Sequence, residues 1–332
     1  MKKLFFLLAC VAMSVLSMAQ VNQLVWANGR LLYGSPITNV DSLTYDESAG
    51  MDTLLLPRVL MKEVHDTVYV TQVIHDTVYV ETDCGEDTPS AGIGVFSVSA
   101  DKQVTFSPGN LQYHPTNDEW RFAENQTDYI GNANRNISPT YNGWLDLFGW
   151  STSATNFGVS TSYYTSDYSG SFVDWGTNKI GKYAPNTWRT LTKDEWKYIL
   201  ETRPNASSLK GVAQVNGVNG LIFLPDNWVC PSGVTFTSGF YSNQSVEAYR
   251  QYQVFTAEQW AKLETLGAIF LPASGWRGSS LVGGVQYCYK YWSATEYYSY
   301  GAICLSTVPN GAIVGYTNRS SGYSVRLVRD LQ

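Results

Sequence analysis

The sequence predicts an α+β protein in which a loop-rich domain of two helices and short antiparallel strands follows a small β unit and an extended repeat. Three observations lead to this prediction. The chain of 332 residues contains 23 Tyr, 11 Trp and 28 Gly, and only 15% of its residues are charged, against about 25% in typical soluble domains. Two capping-box sequences precede apolar residues at helical spacing, and a six-residue segment occurs twice before the aromatic-rich region. The expected divisions are 1–19, a signal peptide; 20–57, a small β unit; 58–90, a repeat stalk or linker; and 91–332, the main domain.

The first 19 residues have the pattern of a secretory signal peptide. Lys2 and Lys3 precede the apolar run LFFLLACVAMSVLSMA, which is too short for a stable membrane span. The small-x-small triplet at 17–19 predicts cleavage before Gln20. The alternative is lipid attachment at Cys10, because LLAC resembles a lipoprotein cleavage box. We expect an exported protein, in the periplasm, at the outer-membrane surface or secreted, with no transmembrane span after removal of the signal.

The segment that follows predicts β structure. An Asn-Gly pair at 28–29 stands between two apolar runs, the strongest short-range signal for a tight hairpin. The sequence HDTVYV at 65–70 recurs at 75–80, and the even spacing turns both copies to the same face, as expected for an extended stalk or a pair of strands. His65 and His75 could form a metal pair, but in a two-copy repeat they are more simply solvated residues. We therefore predict no metal site.

Two capping boxes predict the helices of the main domain. One begins at Thr192 with Glu195 as its third residue, and the other begins at Thr256 with Gln259. In both, apolar residues recur at helical spacing, so one helix face is expected to pack inward. Gly267 is the expected stop of the second helix. The residues expected on the inward faces are Trp196, Ile199, Leu200, Trp260, Leu263 and Leu266.

A strand rich in aromatic residues is predicted at 289–297. Side chains alternate along a strand, which places Trp292 and Ala294 on one side, with Trp292 in the core. The other side carries Tyr289, Tyr291, Ser293 and Thr295. Val325 and Leu327 are expected to close the sheet from a later strand. For the tyrosines two interpretations stay open, namely a ligand-facing patch and ordinary packing under long loops.

Four segments of the main domain occur in a fixed order: WRTLTKDEW at 188–196, IFLPASGWR at 269–277, YWSATEY at 291–297 and GYSVRLVRD at 322–330. Together they resemble the bacterial C-type-lectin-like domains of the Fibrobacter succinogenes major paralogous type, distant relatives of the formylglycine-generating, sulfatase-modifying fold. FSPGNLQYHPTNDEWRFAENQTDYIG and YNGWLDLFGWSTS resemble the version found in exported proteins of gut Bacteroidetes. The resemblance covers about residues 95–332 and implies a C-type-lectin-like fold, which presents loops to many ligands.

The resemblance also implies that the final hairpins form an exposed face. Binding surfaces favour Tyr, which offers a large contact area at low rotamer cost and a hydroxyl group that tolerates water. The expected ligand is a protein or a glycan. Nucleic acid is not expected, because the formal net charge is -6 and phosphate binding requires a basic surface. The candidate ligand-binding residues are Tyr297, Tyr298, Tyr300, Tyr316, Asn318, Arg319 and Tyr323.

Four Asp-Ser/Thr-apolar sequences precede the main domain. They resemble the acceptor pattern for O-glycans in exported Bacteroidetes proteins, which implies a glycosylated spacer. The alternative is plain β propensity, since Thr and Val favour strands. The candidate acceptors are Ser42, Thr53, Thr67 and Thr77.

Residues typical of enzymes are sparse in the main domain. His114 is its only histidine, and neither a G-x-S-x-G elbow nor a cysteine signature accompanies it. Cys288 and Cys304 do not lie in the catalytic context of formylglycine-generating enzymes, and Leu-Pro-Asp-Asn-Trp at 224–228 fits neither motif of calcium-dependent lectins. We predict no catalytic residue, no cofactor and at most one internal disulfide.

These observations favour a secreted or cell-surface recognition module that binds a protein or glycan through its C-terminal tyrosine-rich face, with the repeat as a spacer. One alternative is a structural subunit of a surface assembly or fimbria, in which the aromatic face packs against a neighbouring subunit. A second alternative is an enzyme related to formylglycine-generating proteins.

Overall fold

The structure is a computed structural model, and it divides the chain into two compact units, Met1–Gly85 and Glu86–Gln332. The boundary lies a few residues before the one expected between 90 and 91. The signal peptide, Cys10, His65, His75 and the candidate acceptors Ser42, Thr53 and Thr77 lie outside the described residues. The structure describes residues 22–27, 30–36, 58–64, 67–74, 94–240, 253–308 and 311–331.

The described segments of the first unit form two antiparallel strand pairs. Strands β1 (Asn22–Ala27) and β2 (Arg30–Pro36) pair on either side of residues 28–29, which confirms the predicted hairpin. Strands β3 (Arg58–Val64) and β4 (Thr67–Ile74) form the second pair. The first copy of the repeat therefore pairs with the residues that precede it, and Thr67 is the first residue of β4.

In its described residues the second unit combines short strands with two α-helices, which confirms the mixed α+β class. The helices are α1 (Lys193–Lys197), continued by a π-helical turn (Tyr198–Thr202), and α2 (Ala257–Thr265). Short 3₁₀ segments are Pro115–Asn117, Gly131–Asn136, Thr165–Tyr168 and Trp175–Thr177. The strands are β5 (Phe96–Ser97), β6 (Gln103–Phe106), β7 (Leu111–His114), β8 (Glu119–Phe122), β9 (Arg189–Thr190), β10 (Lys210–Val215), β11 (Val218–Phe223), β12 (Val254–Phe255), β13 (Ile269–Pro272), β14 (Trp276–Gly278), β15 (Leu281–Gly283), β16 (Lys290–Tyr297), β17 (Gly301–Val308), β18 (Gly311–Asn318) and β19 (Leu327–Asp330).

Small sheets organise this unit. One has the strand order β5-β6-β19-β9, a second has the order β12-β10-β11-β13, and a third has the order β16-β17-β18. The pairs β7-β8 and β14-β15 complete the set among the described residues. Pairing is antiparallel except between β10 and β12. Strand β19 lies between β6, from the beginning of the unit, and β9, from its middle.

Both predicted capping boxes are present. The Thr192 hydroxyl accepts a hydrogen bond from the Glu195 backbone N–H (3.3 Å), and the Glu195 carboxylate accepts one from the Thr192 N–H (2.8 Å). Thr256 and Gln259 make the same reciprocal bonds at the start of α2. These contacts pair backbone donors that a helix N-terminus leaves without an intrahelical acceptor.

The inward faces of the helices agree with the prediction at all but one position. Leu266 was expected in the core, and its side chain is 46% exposed. The helix ends at Thr265, and Leu266 is already the C-cap, with ψ near 11°. Gly267 follows with φ +87°, so the chain turns away from the helical spiral and Leu266 leaves the inward stripe. Buried as predicted are Trp196, Ile199, Leu200, Trp260 and Leu263.

The first half of β16, residues 291–293, is buried on both of its faces. Trp292 is fully buried, as predicted, and its indole Nε1 donates to the Phe148 carbonyl oxygen (2.7 Å). Tyr289 and Tyr291, for which a ligand-facing patch and ordinary packing were both open, are also fully buried, in a separate hydrophobic cluster. The strand runs between two parts of the core, so alternation assigns its side chains to two clusters and not to core and solvent.

The rest of the core bears out the expected closure by a late strand. Val325 and Leu327 are fully buried in the cluster that contains Trp292.

Among the described residues, no helix has the length and apolar character required to cross a bilayer. Cys230, Cys288 and Cys304 are free thiols.

Candidate binding face

The hairpin formed by β16 and β17 carries three of the seven predicted contact residues, Tyr297, Tyr298 and Tyr300. Tyr297 pairs with Gly301, so residues 298–300 form the connecting turn. Tyr298 occupies the left-handed region of the backbone, with φ +50°. This conformation is unfavourable for a residue with a Cβ by about 1–2 kcal/mol, so the surrounding contacts must hold the turn in place.

Four tyrosine rings meet at this turn and on the neighbouring strand. Tyr297 stacks on Tyr316 of β18 with ring centroids 4.1 Å apart and an interplanar angle of 13°. Tyr298 contacts the edge of Tyr297 (4.6 Å) and lies near-parallel to Tyr300 (6.0 Å). Tyr298, Tyr316 and Tyr300 are 69%, 60% and 48% exposed, and Tyr297 is half-buried beneath them. We call Tyr297, Tyr298, Tyr300 and Tyr316 the tyrosine face.

The central ring of this group differs electrostatically from a free phenol. Partial removal of the Tyr297 hydroxyl from water raises the pKa of Tyr297, and the neighbouring phenols of Tyr298, Tyr300 and Tyr316 raise it further. The Tyr297 hydroxyl therefore stays protonated at neutral pH and can donate as well as accept a hydrogen bond. The tyrosine face offers uncharged polar contacts together with a large apolar surface.

Arg319 does not lie on the exposed surface, which corrects its prediction as a ligand-binding residue. Its side chain is 2% exposed and its guanidinium donates to four backbone carbonyl oxygens. Nε donates to Gly301 (3.0 Å) and Nη2 to Tyr298 (2.8 Å), while Nη1 donates to Tyr168 (3.3 Å) and Gly170 (3.2 Å). Arg319 is therefore a positioning residue, which ties both ends of the tyrosine turn to the loop around Tyr168.

Two further contacts fix this guanidinium. Its carbon lies 4.5 Å from the ring centroid of the buried Trp150, a cation–π geometry. Nη2 also contacts the Glu296 carboxylate at 3.1 Å, but the Glu296 side chain is 67% exposed. Water and salt screen this ion pair, so the hydrogen bonds from Arg319 to backbone carbonyl oxygens contribute more to holding the turn in place. The alternation of side chains along a strand could not have revealed this role of Arg319.

Tyr323 is also buried, which corrects the second of the predicted contact residues. Its ring packs on Trp292 at 4.7 Å, and its hydroxyl group is 3.0 Å from Thr317 Oγ1. Its backbone pairs with Phe148, so the side chain turns into the core. Asn318, the last residue of β18, is exposed opposite Gly301 and remains at the border of the tyrosine face.

Tyr289, just before β16, and Tyr291 within it have structural partners for their hydroxyl groups. Tyr289 donates to the Gly311 carbonyl oxygen (3.1 Å), and Tyr291 donates to that of Pro272 (3.1 Å). Asn110 Nδ2 donates to the Tyr291 hydroxyl oxygen (3.1 Å). Burial raises the pKa of Tyr291 well above its usual value. These residues support the sheet beneath the tyrosine face and do not contribute contact surface.

Two more exposed tyrosines, outside the tyrosine face, were not predicted from the sequence. Tyr163 and Tyr164 are 62% and 57% exposed, and their rings are 4.1 Å apart. They precede the 3₁₀ segment that ends at Tyr168, whose carbonyl oxygen accepts from Arg319. The segment GVSTSYYTSDYSG at 158–170 has the same Tyr- and Ser-rich composition as the predicted face, and this signal could have identified it.

The described residues offer little that resembles a metal or catalytic centre. No group of three or more His, Cys, Asp or Glu side chains among them is arranged to hold a metal ion. His114 ends β7, is buried and contacts the Trp144 ring at 5.2 Å. Asp226, in the segment compared with lectin motifs, accepts from Ser97 (2.7 Å) and pairs with Arg203 (3.0 Å). His114 and Asp226 therefore make contacts within the scaffold of the protein.

No family model, no curated protein and no solved structure matches the chain. Its function is therefore inferred from its own residues and their geometry.

Proposed function

We propose that this chain is an exported recognition module, without enzymatic activity, that binds a protein or glycan ligand through the tyrosine face. One observation supports the proposal most strongly. Four tyrosine rings contact one another in an exposed group, and a buried guanidinium holds the turn that carries two of them, Tyr298 and Tyr300.

The physical reason is preorganisation. Binding loses free energy when mobile side chains become ordered, by about 0.5–1.5 kcal/mol for each flexible side chain. Tyrosines that already stack on one another have lost part of this freedom before a ligand arrives. Rings such as Tyr297 and Tyr316 also present flat apolar faces, and a few central aromatic residues usually dominate an interface.

The proposed fold for residues 95–332 is C-type-lectin-like. The four segments that carry the resemblance contribute scaffold elements: 188–196 supplies β9 and most of α1, 269–277 supplies β13 and much of β14, 291–297 lies in β16, and 322–330 includes β19. Motifs that build the scaffold, with exposed rings on the hairpin between them, agree with a fold that presents variable contact residues on a constant frame.

A structural subunit of a surface assembly or fimbria is the second candidate. Strand β18 is the outer strand of the β16-β17-β18 sheet in the part of the chain that the structure describes. Its Ile313 and Tyr316 side chains are exposed. An open strand edge with apolar side chains is a template for pairing with another chain, and this observation favours self-assembly over ligand capture.

The experiment is a glycan and protein array probed with the exported chain from Gln20 onward, followed by affinity measurements. We expect Tyr298→Ala, Tyr300→Ala and Tyr316→Ala each to weaken binding by about 2 kcal/mol or more if they are central. Leu281→Ala is the control, since Leu281 is 66% exposed on β15, outside the tyrosine face. Folded tyrosine variants that bind like the parent would show that these rings only pack.

Size-exclusion chromatography separates the two candidates. A recognition module stays monomeric without its ligand, whereas an assembly subunit forms oligomers that depend on Ile313 and Tyr316. A peptide-oxidation assay on cysteine peptides addresses the remaining alternative, an enzyme related to formylglycine-generating proteins. Turnover in that assay would refute the proposal that the chain is not an enzyme.

A further inference from the structure

A cleft with no lining residue in common with the tyrosine face lies within the second unit. Its volume is about 350 Å³, within the range of small-molecule sites, roughly 300–1,000 Å³. Strands β5, β6 and β19, the segment before β9, and the turn after α2 contribute its walls. Distant parts of the chain therefore converge on one concavity.

Aromatic rings form one wall of the cleft. Tyr183 and Trp188 both line it, and their centroids are 5.3 Å apart at an interplanar angle of 87°. Phe122 supports both rings from 5.9 and 5.3 Å. Two perpendicular rings of this kind form a corner with a flat face on each side, which suits a ligand that has an apolar surface of its own.

Unsatisfied donors accompany this wall. Trp188 is 7% exposed, and its indole Nε1 has no hydrogen-bond partner among the described residues. The Nε atom of Arg329, also a lining residue, is buried without a partner there, and the guanidinium carbon lies 5.9 Å from the Trp188 ring. A buried donor without an acceptor is unfavourable. Both atoms are shielded from solvent, so a ligand that supplies oxygen acceptors would remove this penalty where the neighbouring side chains move to admit it.

Acceptors line the same cleft. Glu124 is exposed at its border, and Glu264 of α2 accepts from Gln126 Nε2 at 2.8 Å through one oxygen. The lining carries two carboxylates and one guanidinium, which disfavours a simple anion. A purely apolar ligand would leave the donors of Trp188 and Arg329 unpaired. The lining therefore favours a neutral ligand with several hydroxyl groups and one apolar face.

We propose that this cleft is a saccharide-binding site. The C–H face of a pyranose packs against Tyr183 and Trp188, since sugar rings have an apolar face and polar edges. Arg329 and the Trp188 indole donate to sugar oxygens, and Glu124 and Glu264 accept from sugar hydroxyl groups. The proposal is independent of the tyrosine face, which shares none of these residues.

The experiment follows the indole N–H resonance of Trp188 in the ¹⁵N-labelled exported chain, assigned by its loss in Trp188→Phe. The probes are glucose, galactose, mannose, N-acetylglucosamine, lactose and cellobiose, with acetate and glycine for the anionic and zwitterionic alternatives. We expect at least one saccharide to shift this resonance saturably, with acetate and glycine without effect. No shift with any saccharide, or a saturable shift with acetate or glycine alone, would overturn the proposal.

Variants test the assigned contacts by titration, with tryptophan fluorescence or calorimetry as the readout. Glu124→Ala alters an exposed side chain, so it should fold like the parent and bind the saccharide about tenfold more weakly. Trp188→Phe keeps a ring but removes the donor, and a similar loss is expected. Leu281→Ala should bind like the parent. Parent-like affinity in both Glu124→Ala and Trp188→Phe would refute this site even if a saccharide binds elsewhere.

Discussion

Replacement of Arg319 by methionine should destabilise the protein and release the tyrosine turn. The change keeps an apolar stem beside Trp150 but removes five hydrogen bonds, four of them to backbone carbonyl oxygens. Hydrogen bonds from charged donors contribute about 1.5–3 kcal/mol each, but burial of the guanidinium offsets much of their sum. The fifth bond, to the exposed Glu296, adds less than about 1 kcal/mol. We expect the free energy of unfolding to fall by about 3–5 kcal/mol.

Urea denaturation followed by circular dichroism measures this free energy, and hydrogen exchange locates the change. Amides at 298–301 and 168–170 should exchange faster in Arg319→Met, because the guanidinium joins these two segments. Arg135→Met is the matched control, since Arg135 is exposed and its Nε donates only to the Asn132 carbonyl oxygen. It should stay within about 0.5 kcal/mol of the parent. A loss below 1 kcal/mol in Arg319→Met, with unchanged exchange at both segments, would refute the positioning role.

Three further predictions concern the scaffold. Trp292→Ala should lower the free energy of unfolding by about 3–5 kcal/mol, whereas Tyr300→Ala should change it by no more than about 0.5 kcal/mol; equal effects in urea titrations would contradict the assignment of core and face. Thr192→Ala should lower it by about 0.5–2 kcal/mol, because α1 loses its capping box, and an unchanged urea midpoint would argue against that contact. Burial raises the pKa of Asp146 from 3.8 to about 6, so the folded state favours the protonated carboxyl. The resulting stabilisation is complete below pH 3.8 and is lost as the pH rises through about 6. The free energy of unfolding should fall by about 3 kcal/mol over this range. Urea titrations at pH 4, 5, 6 and 7 should show this slope in the parent and a smaller one in Asp146→Asn; identical slopes would contradict it.

Local sequence signals predicted the local features of the fold. The capping boxes at Thr192 and Thr256 require contacts only three residues apart, so the sequence contains both partners. The Asn-Gly hairpin is local in the same sense. Gly267 ends the second helix as predicted, with φ +87°. Leu266 was nevertheless assigned wrongly, because the residue before that glycine is the C-cap and already departs from the helical spacing.

The candidate site was predictable only in part, because burial depends on distant segments. Composition identified Tyr298, Tyr300 and Tyr316, which are exposed. Arg319 was misplaced because its acceptors include Tyr168 and Gly170, about 150 positions earlier in the chain. For Tyr291 the sequence left packing and ligand contact open, and packing applies because a second core cluster covers the other face of its strand. The pattern of apolar residues along one segment does not show which distant segment will pack on it.

The position of β19 between β6 and β9 has a consequence for the order of folding. Asp330 pairs with Val104, and Val328 pairs with both Phe106 and Arg189. A chain that is still being synthesised or translocated therefore cannot complete this sheet until its residues near Asp330 are available. Contacts between such distant positions also slow folding, because a long loop must close before they form. Until then β6 has an unpaired edge on the side that β19 will occupy.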